Sequence, residues 1–304
     1  MARRFVTLDV FTETPFAGNP LAVVLDADGL DVGAMQRIAA EFNLSETVFV
    51  LPPDETRRKA RLRIFTPTRE LPFAGHPVIG AAVLLALRDG RAGLADATAF
   101  GLEVEIGVIP CVVETAGGRG RARFTLPLLP AYLEEDPETE AVAAALGLAP
   151  SEIGFGLHAP SRHSVGPAFT FVPLASIAAL DRARLDPAGF AALGETSALG
   201  QPSALYLYAV DPDGIGHRYQ ARMFAPHLGV AEDPATGSAA AAFAGVMMQF
   251  EPLGDGTHEV AIRQGIAMGR PSEIGVQLVI ASGALHTVEI SGAAVLMSEG
   301  TLLV

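Results

Sequence analysis

The chain repeats itself, and this repetition constrains its fold more than any other feature. Arg63-Ile64-Phe65-Thr66-Pro67 is followed by Phe73-Ala74-Gly75-His76 and the small apolar run Val78-Ile79-Gly80-Ala81-Ala82. Arg222-Met223-Phe224-Ala225-Pro226 is followed by Ala235-Thr236-Gly237-Ser238 and four alanines. The copies lie 159 residues apart at the arginine and 162 at the glycine, a drift that one loop absorbs. The match extends outward: Gly18-Asn19-Pro20 and Gly166-Pro167 each lead into an apolar strand, then into helical stretches over 32–42 and 177–193. Residues 104–113 and 274–280 read as strands. Runs 77–87 and 238–248 are nearly all apolar, which predicts buried central helices rather than amphipathic surface ones. Strands around such helices give an α+β fold of two pseudo-symmetric barrel-like domains, each a mostly antiparallel sheet wrapped on a central helix. The boundaries expected are 1–126 for the first and 127–292 for the second, across a proline-containing, acidic linker at 127–137. Residues 293–304 have no counterpart in the first repeat and are expected to cross back and complete the first domain.

Composition narrows the function. With 21 basic against 34 acidic residues the formal charge is −13, and the basic residues are scattered, so nucleic acid is not an expected partner. The densest basic group, Arg57-Arg58-Lys59 with Arg61 and Arg63, reads as a solvated strand edge. Cys111 is the only cysteine, which excludes an internal disulfide and a Cys-pair metal site; it reads as a buried, inert thiol. No apolar run reaches a membrane-spanning ~20 residues, and the start of the chain does not read as a signal peptide, so a soluble cytoplasmic protein is expected. Lys59 is the only lysine and sits in a charged run, arguing against a pyridoxal phosphate Schiff base. The segment 154–159 matches G-x-G-x-x-A, but it follows no strand and Pro160 blocks the helix a dinucleotide would need. No histidine spacing suggests a metal site, so neither metal nor cofactor is expected.

The repeated Gly75-His76 and Gly237-Ser238 are helix starts. The first N–H groups of a helix are unpaired, its dipole favours negative charge, and glycine admits close approach of a ligand. Alternatively the two glycines only permit tight strand-to-helix turns. Facing each other between the domains, two such starts would hold a small carboxylate and stabilise charge developing beside it. Near them lie Glu46, in Asn43-Leu44-Ser45-Glu46-Thr47, and His76 and Asp233. From pattern alone Glu46 is a half-buried acid/base or a solvated strand-start residue. His76 is a proton carrier or merely flanks Pro77, and Asp233 is functional or an N-cap.

Five segments resemble the phenazine-biosynthesis PhzF-like family. They are Phe16-Ala17-Gly18-Asn19-Pro20-Leu21-Ala22-Val23, Asn43-Leu44-Ser45-Glu46-Thr47, Phe73-Ala74-Gly75-His76-Pro77, Glu232-Asp233-Pro234-Ala235-Thr236-Gly237-Ser238-Ala239, and Gln264-Gly265 through Gly269-Arg270-Pro271-Ser272. The resemblance covers nearly the whole chain. It implies the diaminopimelate-epimerase fold, a homodimer, and a cofactor-independent isomerase that shifts a proton within a small carboxylated substrate. Glu46 matches the family's proton-shuttling glutamate, and His76 and Asp233 match its partner histidine and aspartate. Gly75, Gly237 and Ser238 match the substrate-contacting helix starts, and Asn19 in the first segment joins the substrate-binding set. The wider superfamily includes racemases and epimerases with one cysteine at each helix start. Those positions align here with Ala74 and Ala235, which rules out a two-thiol inversion. A racemase with a non-thiol acid/base pair and a non-catalytic binding protein are the alternatives.

Overall fold

The computed structural model describes residues 2–90, 96–193, 195–196, 201–213 and 215–304. The first half runs β1 (Ala2–Val10), β2 (Asn19–Val24), α1 (Val32–Phe42), β3 (Glu46–Leu51), β4 (Ala60–Phe65), β5 (Glu70–Leu71), α2 (Gly75–Asp89), β6 (Asp96–Val104), β7 (Gly107–Ala116) and β8 (Arg119–Thr125). The second runs β9 (Ala131–Tyr132), α3 (Thr139–Leu146), β10 (Ser161–Ser164), β11 (Ala168–Pro173), α4 (Ile177–Arg182), α5 (Pro187–Ala192), β12 (Glu195–Thr196) and β13 (Gln201–Pro202). It continues with β14 (Ala204–Val210), β15 (His217–Ala225), β16 (Val230–Asp233), α6 (Gly237–Phe250), β17 (Gly256–Gln264), β18 (Ser272–Ala281) and β19 (Ala284–Leu303).

The fold is α+β, two pseudo-symmetric barrels each wrapped on one helix. The first closes in the order β1, β2, β3, β4, β6, β7, β8, β19 and back to β1. Only the β2/β3 and β4/β6 contacts are parallel. The second follows the same order through β10, β11, β14, β15, β17, β18 and β19, with β9 pairing to β10. The long strand β19 serves both barrels. Its first half pairs with β18, its last ten residues pair with β1, and Glu289–Val295 pair with β8 between them. A counterpart of that crossing does exist in the first repeat, contrary to the sequence reading. It is β9, only two residues long and therefore without a readable period.

Alternation makes the barrel walls. In β8 the arginines 119, 121 and 123 face out while Gly120, Ala122 and Phe124 face in. The central helices are apolar on every side because strands surround them. Val78, Ile79, Val83 and Leu84 of α2 and Ala239 through Ala244 of α6 have essentially no exposed surface. Small residues are needed where a strand comes closest: a Cβ on Gly80 would lie 2.5 Å from Leu21 Cδ2. Two further expectations differ in detail. The stretch 177–193 is two short helices, since Asp186 caps a new start with Pro187 in its first turn. The strand read over 104–113 straddles a hairpin that turns before Gly107, which has φ +129°. Among the described residues no helix is long and apolar enough to cross a membrane.

The two helices meet head to head. A Cβ on Gly75 would lie 2.7 Å from Gly237 Cα and 2.8 Å from its carbonyl carbon, so the two starts touch through backbone. Gly75→Ala must force the helices apart and should destabilise the protein by about 1–3 kcal/mol. A lowered urea midpoint checks this, with Gly254→Ala, where the added methyl meets nothing within 4 Å, as the control.

Candidate active site

Three local features place the acidic groups. Asn43 ends α1 in the left-handed conformation (φ 51°), turning the chain so that Ser45 and Glu46 enter β3 beside Leu21. Asp233 ends β16, opposite Met223, just before α6. His76 is the second residue of α2 and is 3% exposed. Together they line a cavity of about 210 Å³. Its wall includes Ser45, Glu46, Gly75, His76, Asp233, Thr236, Gly237 and Ser238. The remainder is mainly apolar, with Phe73, Phe169, Ala204 and Met223. Neither helix start has a side-chain cap, and the N-cap positions are Ala74 and Thr236. The first N–H groups of both helices therefore have no side-chain partner at the point where the helices converge.

Glu46 Oε2 and His76 Nε2 are 3.4 Å apart, and neither buried atom has a hydrogen-bond partner. Asp233 is well supplied: Oδ1 accepts from Asn19 Nδ2 at 2.9 Å and from Ser45 Oγ at 2.8 Å, and Oδ2 accepts from Thr236 Oγ1 at 2.6 Å. Asn19 is fully buried behind the wall and does not line the cavity. Its amide nitrogen also donates to the Ala235 carbonyl at 2.8 Å and lies 3.4 Å from His76 Nδ1. That amide nitrogen has no lone pair to accept with, so a proton on His76 Nδ1 would find no partner there, which favours the tautomer with the proton on Nε2, directed at Glu46.

Burial, and then the charge of Asp233, raise Glu46 well above its ordinary 4.5. Burial also raises Asp233, opposed by the hydrogen bonds from Thr236, Ser45 and Asn19. His76 is pushed down to about 3 by burial, so it is a neutral donor at any working pH.

The strand register shows what faces what. Leu21 pairs with Glu46 as Phe169 pairs with Ala204, and Ile64 pairs with Leu71 as Met223 pairs with Asp233. The positions equivalent to Glu46, Asp233 and Asn19 are thus Ala204, Leu71 and Pro167. The same register corrects the alignment of the helix starts: Ala74 corresponds to Thr236, and Ala235 to Phe73. Neither N-cap is a thiol, and Cys111 lies buried in β7. Ser45, Thr236, Gln264 and Tyr206 surround Asp233 without having been singled out in the sequence, although three of them stand inside the quoted segments.

Fold and site together define an isomerase built on the diaminopimelate-epimerase fold. A family model described as phenazine biosynthesis-like protein matches residues 8–300. An uncharacterized isomerase of Mesorhizobium japonicum is 45% identical over 302 residues, covering 99% of each chain. A trans-2,3-dihydro-3-hydroxyanthranilate isomerase of Pseudomonas aeruginosa is 35% identical over 297 residues, covering 98% of each. The structure of a protein described as a predicted epimerase, from the same organism, superposes with a TM-score of 0.80 at 32% identity, covering 99% of each. The chain belongs to the phenazine biosynthesis-like, or PhzF, family of isomerases.

The depressed His76 has a consequence for stability. Unfolded, it titrates near its ordinary 6.5, and folded, near 3. As pH falls through that window the unfolded chain binds a proton that the fold refuses. Stability therefore decreases, by up to about 1.4 kcal/mol per pH unit. His163, held at about 4 by burial, adds a share over its own window. Urea midpoints between pH 7 and 4 should fall more steeply for the wild type than for His76→Asn, which keeps the shares of His163 and of His158 and His227, both also lowered by burial.

Proposed function

We propose that Glu46 carries a proton between two carbons on one face of a small, unsaturated, carboxylated substrate. The substrate carboxylate sits between the two uncapped helix starts, at the N–H groups near Gly75, Gly237 and Ser238. Glu46 takes the proton from one carbon, and the electron pair of that C–H bond moves into a new double bond. The old double bond opens, and its far carbon receives the proton back from Glu46. His76 Nε2–H donates to a polar group or to the charge that develops, and Asp233 keeps the proton affinity of Glu46 high. Asn19 acts from behind, holding Asp233 and the loop before α6. A ring like that in the name of the Pseudomonas aeruginosa relative suits a cavity lined by both polar and apolar residues. The protein is read as a cytoplasmic homodimer, with domains at 1–126 completed by 293–304 and at 127–292.

One observation carries this reading. The position related to Glu46 by the internal repeat is a buried alanine, Ala204, which also lines the cavity and carries no acid/base group. Inversion of a carbon needs an acid and a base on opposite faces; the repeat supplies no second carboxylate at the position equivalent to Glu46, which favours removal and return of the proton by Glu46 alone.

Glu46→Gln should fold as the wild type does and lower kcat about 10²–10⁴-fold. With trans-2,3-dihydro-3-hydroxyanthranilate as trial substrate in D₂O, the expected product has a migrated double bond. Deuterium at the original carbon with inverted configuration would instead establish an epimerase. Because Glu46 must be ionised to accept the proton, kcat/KM should rise with pH through a midpoint well above 4.5. His76 should add no limb above about pH 3.

A further inference from the structure

The hydrogen bonds around Asp233 form a chain of donors that begins away from the cavity. Gln264, fully buried at the end of β17, accepts at Oε1 from the Thr236 backbone N–H and from the Tyr206 hydroxyl, both at 3.2 Å. That fixes the amide orientation. Nε2 then donates to the Asp233 carbonyl at 2.8 Å and to Thr236 Oγ1 at 3.0 Å, so both donors and both lone pairs are used. Thr236 Oγ1 receives that hydrogen on one lone pair and gives its own to Asp233 Oδ2. A threonine at the N-cap ordinarily accepts from the first backbone N–H groups of its helix. Thr236 makes no such bond. Gly265, at φ +76°, lets the turn after Gln264 press against this loop, where a Cβ would come within 2.6 Å of the Pro234 carbonyl oxygen.

We propose that Gln264, acting through Thr236, is a positioning residue that holds Asp233 as an ionised acceptor and withholds the Thr236 hydroxyl from capping α6. The inference rests on the acid–base reading of the site and adds a division of labour to it. Asp233 supplies charge, and Glu46 alone moves the proton. The start of α6 stays open because the hydroxyl that would cap it is engaged elsewhere. The titratable groups around Asp233 are Glu46 from β3 and Tyr206 from β14, with His76 from α2 connected to it through Asn19. Arg69, Glu70 and His227 stand elsewhere on the cavity wall.

The test is a carbon-13 NMR titration of the side-chain carboxyls in the substrate-free protein, with signals assigned by Glu46→Gln and Asp233→Asn. In Thr236→Val and in Gln264→Leu, Asp233 should titrate about one pH unit higher than in the wild type, the effect of losing one hydrogen bond to a charged group. Thr236→Ser, which keeps the hydroxyl, should restore the wild-type midpoint. An unmoved Asp233 midpoint in Thr236→Val overturns the proposal, and so does a shift that Thr236→Ser shares. If Gln264→Leu does not fold, the two Thr236 variants decide the matter. No turnover enters this measurement, so its failure is distinct from wild-type turnover in Glu46→Gln, which would refute the catalytic reading.

Discussion

The backbone contact between Gly75 and Gly237 is the constraint on which the rest of the molecule depends. Two helices packed side by side would present their ends to different places. Here they abut through their first residues, so both sets of unpaired N–H groups and both positive dipole ends converge on one point. Like-signed ends repel, and the arrangement persists because each helix is fixed along its length inside its own barrel. The stored electrostatic imbalance is what an anion would relieve. The barrels, the small residues on the helices and the absence of side-chain caps all serve that meeting.

Duplication built this symmetry, and substitution then removed it from the chemistry. The scaffold positions remain equivalent: the paired glycines, the arginines 63 and 222, and the strand order. The functional positions have diverged in pairs, glutamate against alanine, aspartate against leucine, asparagine against proline and histidine against serine. The cavity lining is therefore chemically unequal between two halves that share a fold.

Much of this was legible in the sequence because duplication turns a tertiary relation into a spacing. The barrels, the buried helices and the helix starts followed from two runs of small apolar residues about 160 positions apart. Glu46, His76 and Asp233 came from motif resemblance, and pattern alone left Glu46 undecided between a site and a surface. What settles its surroundings is burial by distant segments, and no local period reports that. Gln264 and Tyr206 were illegible for the same reason, since their partners lie 28 and 58 residues away. Asn19 was expected to touch substrate and instead stands behind the wall, a distinction of one side-chain length. The pairing of Ala235 with Ala74 failed by one residue, because helix starts align by their caps rather than by similar letters.

The long strand β19 carries a meaning beyond closure. Each barrel has seven strands of its own and takes its eighth edge from the chain segment that crosses between the halves. Neither half is therefore a module that a genome could excise, shuffle or express alone without leaving a sheet unzipped. An ancestor of half this length would have had to lend that edge to a second copy and borrow one in return. In those terms the present single chain is a strand-exchanged pair made permanent by fusion. Within one chain the two copies of each position are free to differ.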